Sequence, residues 1–265
     1  HEEQGWGRAG ETFTVKEELA AYGVGPAWFG LGDRDLATHV VRTQMLGAGY
    51  PLSAVTAALC DRWQPGVTLL PMSDDRVETH VVIDDPEAPG GRRAVHFQEY
   101  WVRLHAGPTA HTVVPVGADD ARPAPGVLEA VAAADVVLLP PSNPVVSIGT
   151  ILAVPGVRDS IEQCAAPVVG LSPVIGGAPV RGMADKVLAA IGVQTDAAAV
   201  ALHYGPALLD GWLVDPRDQG AVGTVSEAGI ACETAPLLMT DVDAAAAMAR
   251  AALDLATRVG ARSAG

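Results

Sequence analysis

Residues 135–152, DVVLLPPSNPVVSIGTIL, constrain the fold more than any other stretch of this chain. The apolar run Val136 to Leu139 reads as a fully buried strand, of the kind found in a parallel sheet covered on both faces. Pro140-Pro141 cannot continue a sheet ladder, so the strand stops there. Ser142 and Asn143 then fall just past its carboxyl end, and Ser147 stands where it would cap a helix starting near Ile148. In open α/β sheets, ligands bind in the crevice beyond the strands' carboxyl ends. Small hydroxyl and amide side chains there, beside the N–H groups of a helix start, suit an anion such as a phosphate. A capped turn with no ligand is the other reading.

The remainder of the chain supports the same fold class. From Gly117 onward, helical and strand patterns alternate: helix near 126–133, strand 135–139, helix 147–153, strand 167–172, helices 183–191 and 196–204, strand 209–214. CETAPLLM follows a loop, and an Ala-rich helix from Thr240 or Asp241 to about Val259 closes the chain. That alternation predicts an α/β fold, a Rossmann-like, doubly wound, mostly parallel sheet. Residues 11–63 read as mostly helical: Thr14 with Glu17 has capping-box spacing, and Ser53 is placed to cap a third helix. Between them and the sheet, VTLLP, ETHVVID, AVHFQEYWV and HTVVPV read as short strands. The division predicted is an inserted helix-plus-strand subdomain over residues 1–115 and a nucleotide-binding core over 116–265.

Composition narrows the partners. A net charge of −14 argues against a general nucleic-acid binder, which needs a basic face. A nucleotide is not excluded, since a few Arg side chains and main-chain amides suffice locally. No apolar run reaches bilayer length and no signal-peptide pattern opens the chain, so no membrane partner is expected. Cys60, Cys164 and Cys232 are odd in number and lack zinc spacing, which reads as buried thiols in a reducing cytoplasm.

Three further clusters carry candidate chemistry. GLGDRDLATH sets Arg34 between Asp33 and Asp35 at a loop-to-helix junction; one acid suits a helix cap, while the Arg fork suits a phosphate, a carboxylate or a flat heterocycle. His39, four residues after Asp35 on the same helix face, reads as a histidine that packs or supports a neighbouring site residue rather than as a base. PMSDDRVETHV places Asp74 and Asp75 in a turn, where they are Asx-turn formers or ligands for a hard cation such as Mg2+. Residues 168–186 carry Ser172, Gly176, Gly177, Arg181 and Gly182 before a helix, a loop in which a backbone and a cation could approach a ligand. The aromatics of HFQEYWV read as core, although a flat ring ligand would also use them.

Taken together, LGDRDLATH, LLPMSDDRVETHV, HFQEYWV, PSNPVVSIGTIL and SPVIGGAPVRGMADK resemble, in this order, the 2-phospho-L-lactate transferases of deazaflavin coenzyme F-420 biosynthesis. The opening GWGRAGETFTVKEELAAYGVGPAWFGLGDRDLATH is similar to the actinobacterial branch. The resemblance implies transfer of a phospholactyl or phosphoenolpyruvyl group from a guanylylated donor to the hydroxyl of the deazaflavin FO. It also implies that GMP leaves, that magnesium assists, and that the enzyme is a cytoplasmic homodimer. By the same resemblance, Asp33, Arg34 and Asp35 lie at the deazaflavin. Ser142, Asn143 and Ser147 contact the donor's phosphates or ribose, with Ser172 and Arg181 on the same nucleotide side. Asp74 and Asp75 help with metal or acceptor.

Family members open with a strand, a GGxGG-type phosphate loop and a paired-acid motif. This sequence begins with His1 and has none of these, entering the pattern about 70 residues in, as if a first βαβ unit were absent. A non-catalytic deazaflavin- or nucleotide-binding fragment is therefore the alternative to a working transferase. A dehydrogenase-like nucleotide binder would need a dinucleotide fingerprint that the chain lacks.

Overall fold

The computed structural model describes residues 8–26 and 28–260. Three helices open the chain: α1 (Thr14–Ala21), α2 (Asp33–Gly47) and α3 (Leu52–Trp63). An antiparallel sheet follows, made of β1 (Glu78–Asp84), β2 (Arg92–His96) and β3 (Ala110–Val116) in the order β2-β1-β3. Alternation buries Val81, Ile83 and Val95 with Tyr100 on one face, which closes against Val187. Val187 lies on a helix of the second half (Ala184–Ala190), so the antiparallel sheet packs directly on the core.

That second half runs α4 (Val127–Ala132), β4 (Val137–Leu139), α5 (Ile148–Leu152), α6 (Val157–Gln163) and β5 (Val168–Leu171). A small hairpin, β6 (Val174–Ile175) and β7 (Ala178–Pro179), precedes α7 (Ala184–Ala190) and α8 (Ala197–Tyr204). Then come β8 (Gly211–Val214), α9 (Ala221–Glu227), β9 (Ala231–Thr234) and α10 (Val242–Val259). Strands β4, β5, β8 and β9 form one all-parallel sheet in that order. It is covered on both faces, as the alternation of helices and strands predicts.

Side-chain alternation shows why. Val168, Trp212 and Val214 enter a core shared with α5, α6, α8 and α9, while Val169, Leu171 and Leu213 point into a second core against α10. The α10 stripe Met248, Ala252, Leu255 and Ala256 has the spacing of one helix face. Asp241 caps that helix by accepting from the Ala244 N–H at 2.8 Å. Gly170 sits opposite Trp212 in the ladder, and a Cβ there would lie 2.5 Å from the indole. Only glycine lets the largest core side chain lie across β5.

Several local expectations need correction. Residues 67–71 form no strand; Val67, Leu69 and Leu70 are exposed in irregular chain. HFQEYWV leaves the sheet at His96 and winds into a π-helical turn, Glu99–Arg103, because Tyr100 must turn inward to fill the core under β1. Strand β4 is not fully buried: it is the edge of the four-stranded sheet, and Leu138 is exposed. Thr14 and Ser53 are not caps. Asp33 accepts from the Thr14 and Val15 N–H groups, and Asp74 accepts from the Ser53 N–H and hydroxyl. The helix 157–163, the helix 221–227 and the hairpin 174–179 went unread. Cys164 and Cys232 are buried and Cys60 is half-buried, all as free thiols. No helix among the described residues is long and apolar enough to cross a membrane.

Candidate functional site

The loops leaving the carboxyl ends of β4, β5 and β9 converge on a cavity of about 810 Å3. After β4, Ser142, Asn143 and Ser147 line it. The β5-to-α7 connection contributes Pro179, Val180, Arg181 and Gly182, and the segment after β9 contributes Leu237 to Thr240. Phe97 and Trp101 come from the π-helical turn. This is the crevice in which open α/β sheets hold ligands. Four of the five side chains predicted for a nucleotide therefore meet in one place.

Asn143 organises its own turn. Its side-chain oxygen accepts from the Val145 and Val146 N–H groups at 2.9 and 3.1 Å, and its carbonyl accepts from Ser147 and Ile148. The N–H groups expected to greet an anion are thus already satisfied, and α5 is too short for a substantial dipole. The anion-facing end must instead rest on side chains. Ser147 occupies the cap position but makes no capping bond with its hydroxyl.

Ser172 is the exception among the predicted residues. It is fully buried, and its hydroxyl donates to the Val174 carbonyl at 2.8 Å while accepting from the Val174 N–H. It shapes the turn after β5 and does not line the cavity. Just past β8, Asp215 and Asp218 tie neighbouring loops together. Asp215 accepts from the Arg217 Nε at 2.9 Å and from the Leu237 N–H at 3.2 Å; Asp218 takes the Gly176 N–H on both oxygens. Burial pushes the Asp215 carboxyl up, but the bonds from Arg217 and Leu237 outweigh it and hold the group below its ordinary range.

Arg34 lies elsewhere. With Arg8, Arg62 and Trp63 it lines a second cavity of about 660 Å3, which shares no lining residue with the first. Three guanidiniums and an indole thus share one cavity on a chain of net charge −14. Arg34 Nη1 donates to the Ala9 carbonyl at 2.7 Å, fixing the fork. Asp33 does not line this cavity: its oxygens accept from the Thr12 hydroxyl at 2.7 Å and from two N–H groups of α1, which hold its carboxyl below the usual range. Asp35 does not line it either.

Asp74 spends both oxygens on Ser53 at 2.6 and 2.9 Å, and Asp75 clamps the Arg122 N–H at 2.8 Å. The paired acids anchor a turn, as Asx residues do. Among the described residues, no group of three His, Cys, Asp or Glu side chains could hold a metal ion.

Comparison with known proteins decides the lineage. The 2-phospho-L-lactate transferase CofD family matches residues 3–252. The chain belongs to that family. It is 72% identical over 259 residues to the phosphoenolpyruvate transferase of Streptomyces griseus subsp. griseus, covering 98% of this chain and 80% of that protein. Identity is 64% to the Thermobifida fusca phosphoenolpyruvate transferase (99% and 79% covered) and 58% to that of Mycolicibacterium smegmatis (96% and 77%). A Bacillus halodurans member of the upf0052 family shares the fold, with a TM-score of 0.54 at 19% identity, covering 83% of this chain and 72% of that one. The chain is thus a phosphotransferase-type enzyme of the coenzyme F-420 family.

Sequence reasoning missed the wall formed by Leu237 to Thr240; it read Phe97 and Trp101 first as core and second as partners for a flat ring, and they line the cavity. A signal did exist: CETAPLLM is a strand followed by a proline, so its apolar tail must lie past a carboxyl end. Asp215 and Asp218 had the same signal, directly after the apolar run 211–214.

Proposed function

We propose that this chain transfers a phosphoenolpyruvyl or phospholactyl group from a guanylylated donor to the side-chain hydroxyl of FO, with release of GMP. The observation that carries the proposal is the cavity at the strand ends. Ser142, Asn143, Ser147 and Arg181 meet an apolar and aromatic wall there, the two kinds of surface a nucleotide diphosphate requires. The names of the similar proteins favour phosphoenolpyruvate as the acid.

In this reaction the acceptor oxygen bonds to the phosphorus of the phospho-acid. The diphosphate P–O bridge breaks, GMP leaves with the bridging oxygen, and the hydroxyl proton is lost. Such transfers require little covalent participation by the protein, so positioning and charge neutralisation carry the catalysis. Arg181 supplies a fixed positive charge beside the phosphates, and the two serine hydroxyls and the Asn143 amide can donate to their oxygens. The Arg34 cavity takes the acceptor: a guanidinium fork with Trp63 suits a flat, oxygen-rich heterocycle. Magnesium belongs to the proposed activity; Asp74 and Asp75, engaged by Ser53 and Arg122, anchor a turn. A cytoplasmic homodimer is part of the same proposal, and the three free thiols agree with a reducing compartment.

The test is turnover. The chain is incubated with FO, magnesium and either the enolpyruvyl or the lactyl diphosphoguanosine donor, and GMP and the FO product are measured by mass. Product with one donor supports the proposal and names the acid. FO binding without product from either donor would replace the transferase with a non-catalytic binding role. Arg34→Ala should weaken FO binding by more than about tenfold, roughly 1.4 kcal/mol; unchanged affinity would remove the acceptor from that cavity.

A further inference from the structure

A third cavity, of about 330 Å3, has no part in the activity proposed above. It shares no lining residue with the strand-end cavity or with the Arg34 cavity. Val113 of β3, Leu152 of α5 and Ile191 after α7 give it apolar walls. Arg158, Thr150, His203 and Tyr204 supply its polar groups.

The charge of this cavity is positive. Arg158 Nη1 donates to Glu162 at 2.6 Å, one helical turn on, which fixes the guanidinium; its planar fork carries further N–H donors. No acid stands among the described residues that line the cavity. Two neighbours register the Arg158 charge. Partial burial first, and Arg158 second, hold the His203 imidazole below its ordinary 6.5. Burial pushes the Tyr204 phenol far up, with Arg158 pulling the other way. The two rings adjoin, their centroids 5.8 Å apart. A held guanidinium beside aromatic and apolar walls recognises an anion carried on a compact apolar body.

The turn after β4 stands between this cavity and the strand-end one. Asn143, Val146 and Ser147 line the strand-end cavity, while Pro144, Val145 and Gly149 line this one. Asn143 ties the two sets together by accepting from both the Val145 and the Val146 N–H. At Gly149 a Cβ would lie 2.6 Å from the Pro144 carbonyl oxygen, so α5 is seated directly on the turn. Groups packed this closely shift as a unit.

We infer that the Arg158 cavity is a second ligand site, for a small carboxylate or phosphate on a compact apolar body, coupled through residues 143–149 to the strand-end cavity. The coupling rests on the donor reading of the strand-end cavity; the site itself does not.

Benzoate, phenyl phosphate and neutral benzyl alcohol are titrated into the full chain by ligand-observed NMR. The two anions should bind saturably, at about 1 mM or tighter, and the alcohol at least about tenfold more weakly. The tighter anion names the headgroup. Arg158→Gln should weaken benzoate about tenfold, and Ala153→Met, which leaves the Arg158–Glu162 pair intact and fills the cavity, should weaken it at least as much. Arg181→Gln and Arg34→Gln should keep benzoate within about twofold. Undiminished benzoate binding in Ala153→Met, or its loss in Arg181→Gln or Arg34→Gln, would overturn the site. Benzyl alcohol binding as well as benzoate would overturn the anion assignment. Saturating GDP should shift benzoate affinity about fivefold, and benzoate should shift GDP equally. No shift would remove the coupling and leave the site, whereas full displacement of benzoate by GDP would place both in one cavity and overturn the site. A wild type that binds benzoate but not GDP would remove the donor reading, and the coupling with it, while the site stands.

Discussion

Residues 13–70 and residues 137–259 are both built largely of helices, yet they are held in place by different forces. In the second region, every residue of β5 and β8 is buried, and helices close over both faces of the sheet. In the first, α1 and α2 bury no residue and α3 buries only Val55. Of the 25 large apolar side chains exposed among the described residues, 14 fall within 13–70, so packing is not what orders these helices. Carboxylates do much of it: Glu11 accepts from the Arg34 N–H at 3.0 Å, Asp33 caps α1 from the start of α2, and Asp74 anchors the start of α3. The same helical periodicity thus accompanies two kinds of stabilisation, apolar burial in one region and polar tethering in the other.

The sharpest way to break this comparison is Trp212→Ala. Trp212 is fully buried, fills the space over Gly170 and donates from Nε1 to the Ala197 carbonyl at 3.1 Å. Truncation leaves a cavity with no side chain to refill it and should cost about 3–5 kcal/mol. Chemical denaturation followed by circular dichroism would show a large fall in the midpoint. A loss below about 1 kcal/mol would mean that the parallel sheet is not the dominant core.

Legibility in the sequence follows the same division. Strands β5 and β8 and helix α10 were readable because burial on both faces, or on one stripe, imprints a continuous or periodic apolar pattern. The run 67–71 misled because it is apolar yet exposed, so its composition reports no packing. HFQEYWV misled because Tyr100 is buried by a π turn, which has no distinctive sequence period. Ser142, Asn143, Ser147 and Arg181 could be placed beside the strand-end cavity because strand-end position is readable from a strand pattern and a proline stop. Leu237 to Thr240 were not found because an apolar loop carries no chemical signal until the fold brings it beside Trp101. That Asp33 caps α1 and Asp74 the start of α3 was not legible, because a cap contributed from another element leaves no local spacing to recognise.

A smaller effect tests whether a polar group can matter as much inside the second region. Asp215→Ala removes the acceptor for Leu237 N–H and Arg217 at a nearly buried position, and should cost about 1–3 kcal/mol. Because the hydrogen bonds hold this carboxyl below its ordinary 3.8, its contribution is complete above that pH and is lost as pH falls through the depressed folded value. The stability gap between wild type and Asp215→Ala should therefore be flat near neutrality and narrow on acidification below 3.8. A gap that widens with acid would contradict the ionised, hydrogen-bonded assignment. Since Leu237 leads into the cavity wall, GDP binding should weaken as well.

At the turn after β4, Asn143→Ala and Asn143→Asp separate structure from binding. Alanine loses the acceptor for Val145 and Val146 and should cost about 1 kcal/mol in stability. Aspartate keeps that acceptor but places a negative charge in the cavity. It should leave the denaturation midpoint near wild type while weakening GDP binding more than alanine does. Equal GDP affinity in wild type and Asn143→Asp would argue against phosphates at this turn.

The smallest change tests the first region. Asp74→Ala deletes the anchor of α3, and a lost helix-start acceptor costs about 1 kcal/mol. If polar tethers order these helices independently of the sheet, the loss should be local. Amide exchange should quicken across Leu52–Trp63 while β5 and β8 keep their protection. Exchange rising equally in the sheet would show that the tether feeds the main core, and the two regions would then be one cooperative unit. Confinement to α3 would instead make residues 13–70 a separately adjustable element, so that the cavity around Arg34, proposed above for the acceptor, could be altered without disturbing the strand-end cavity.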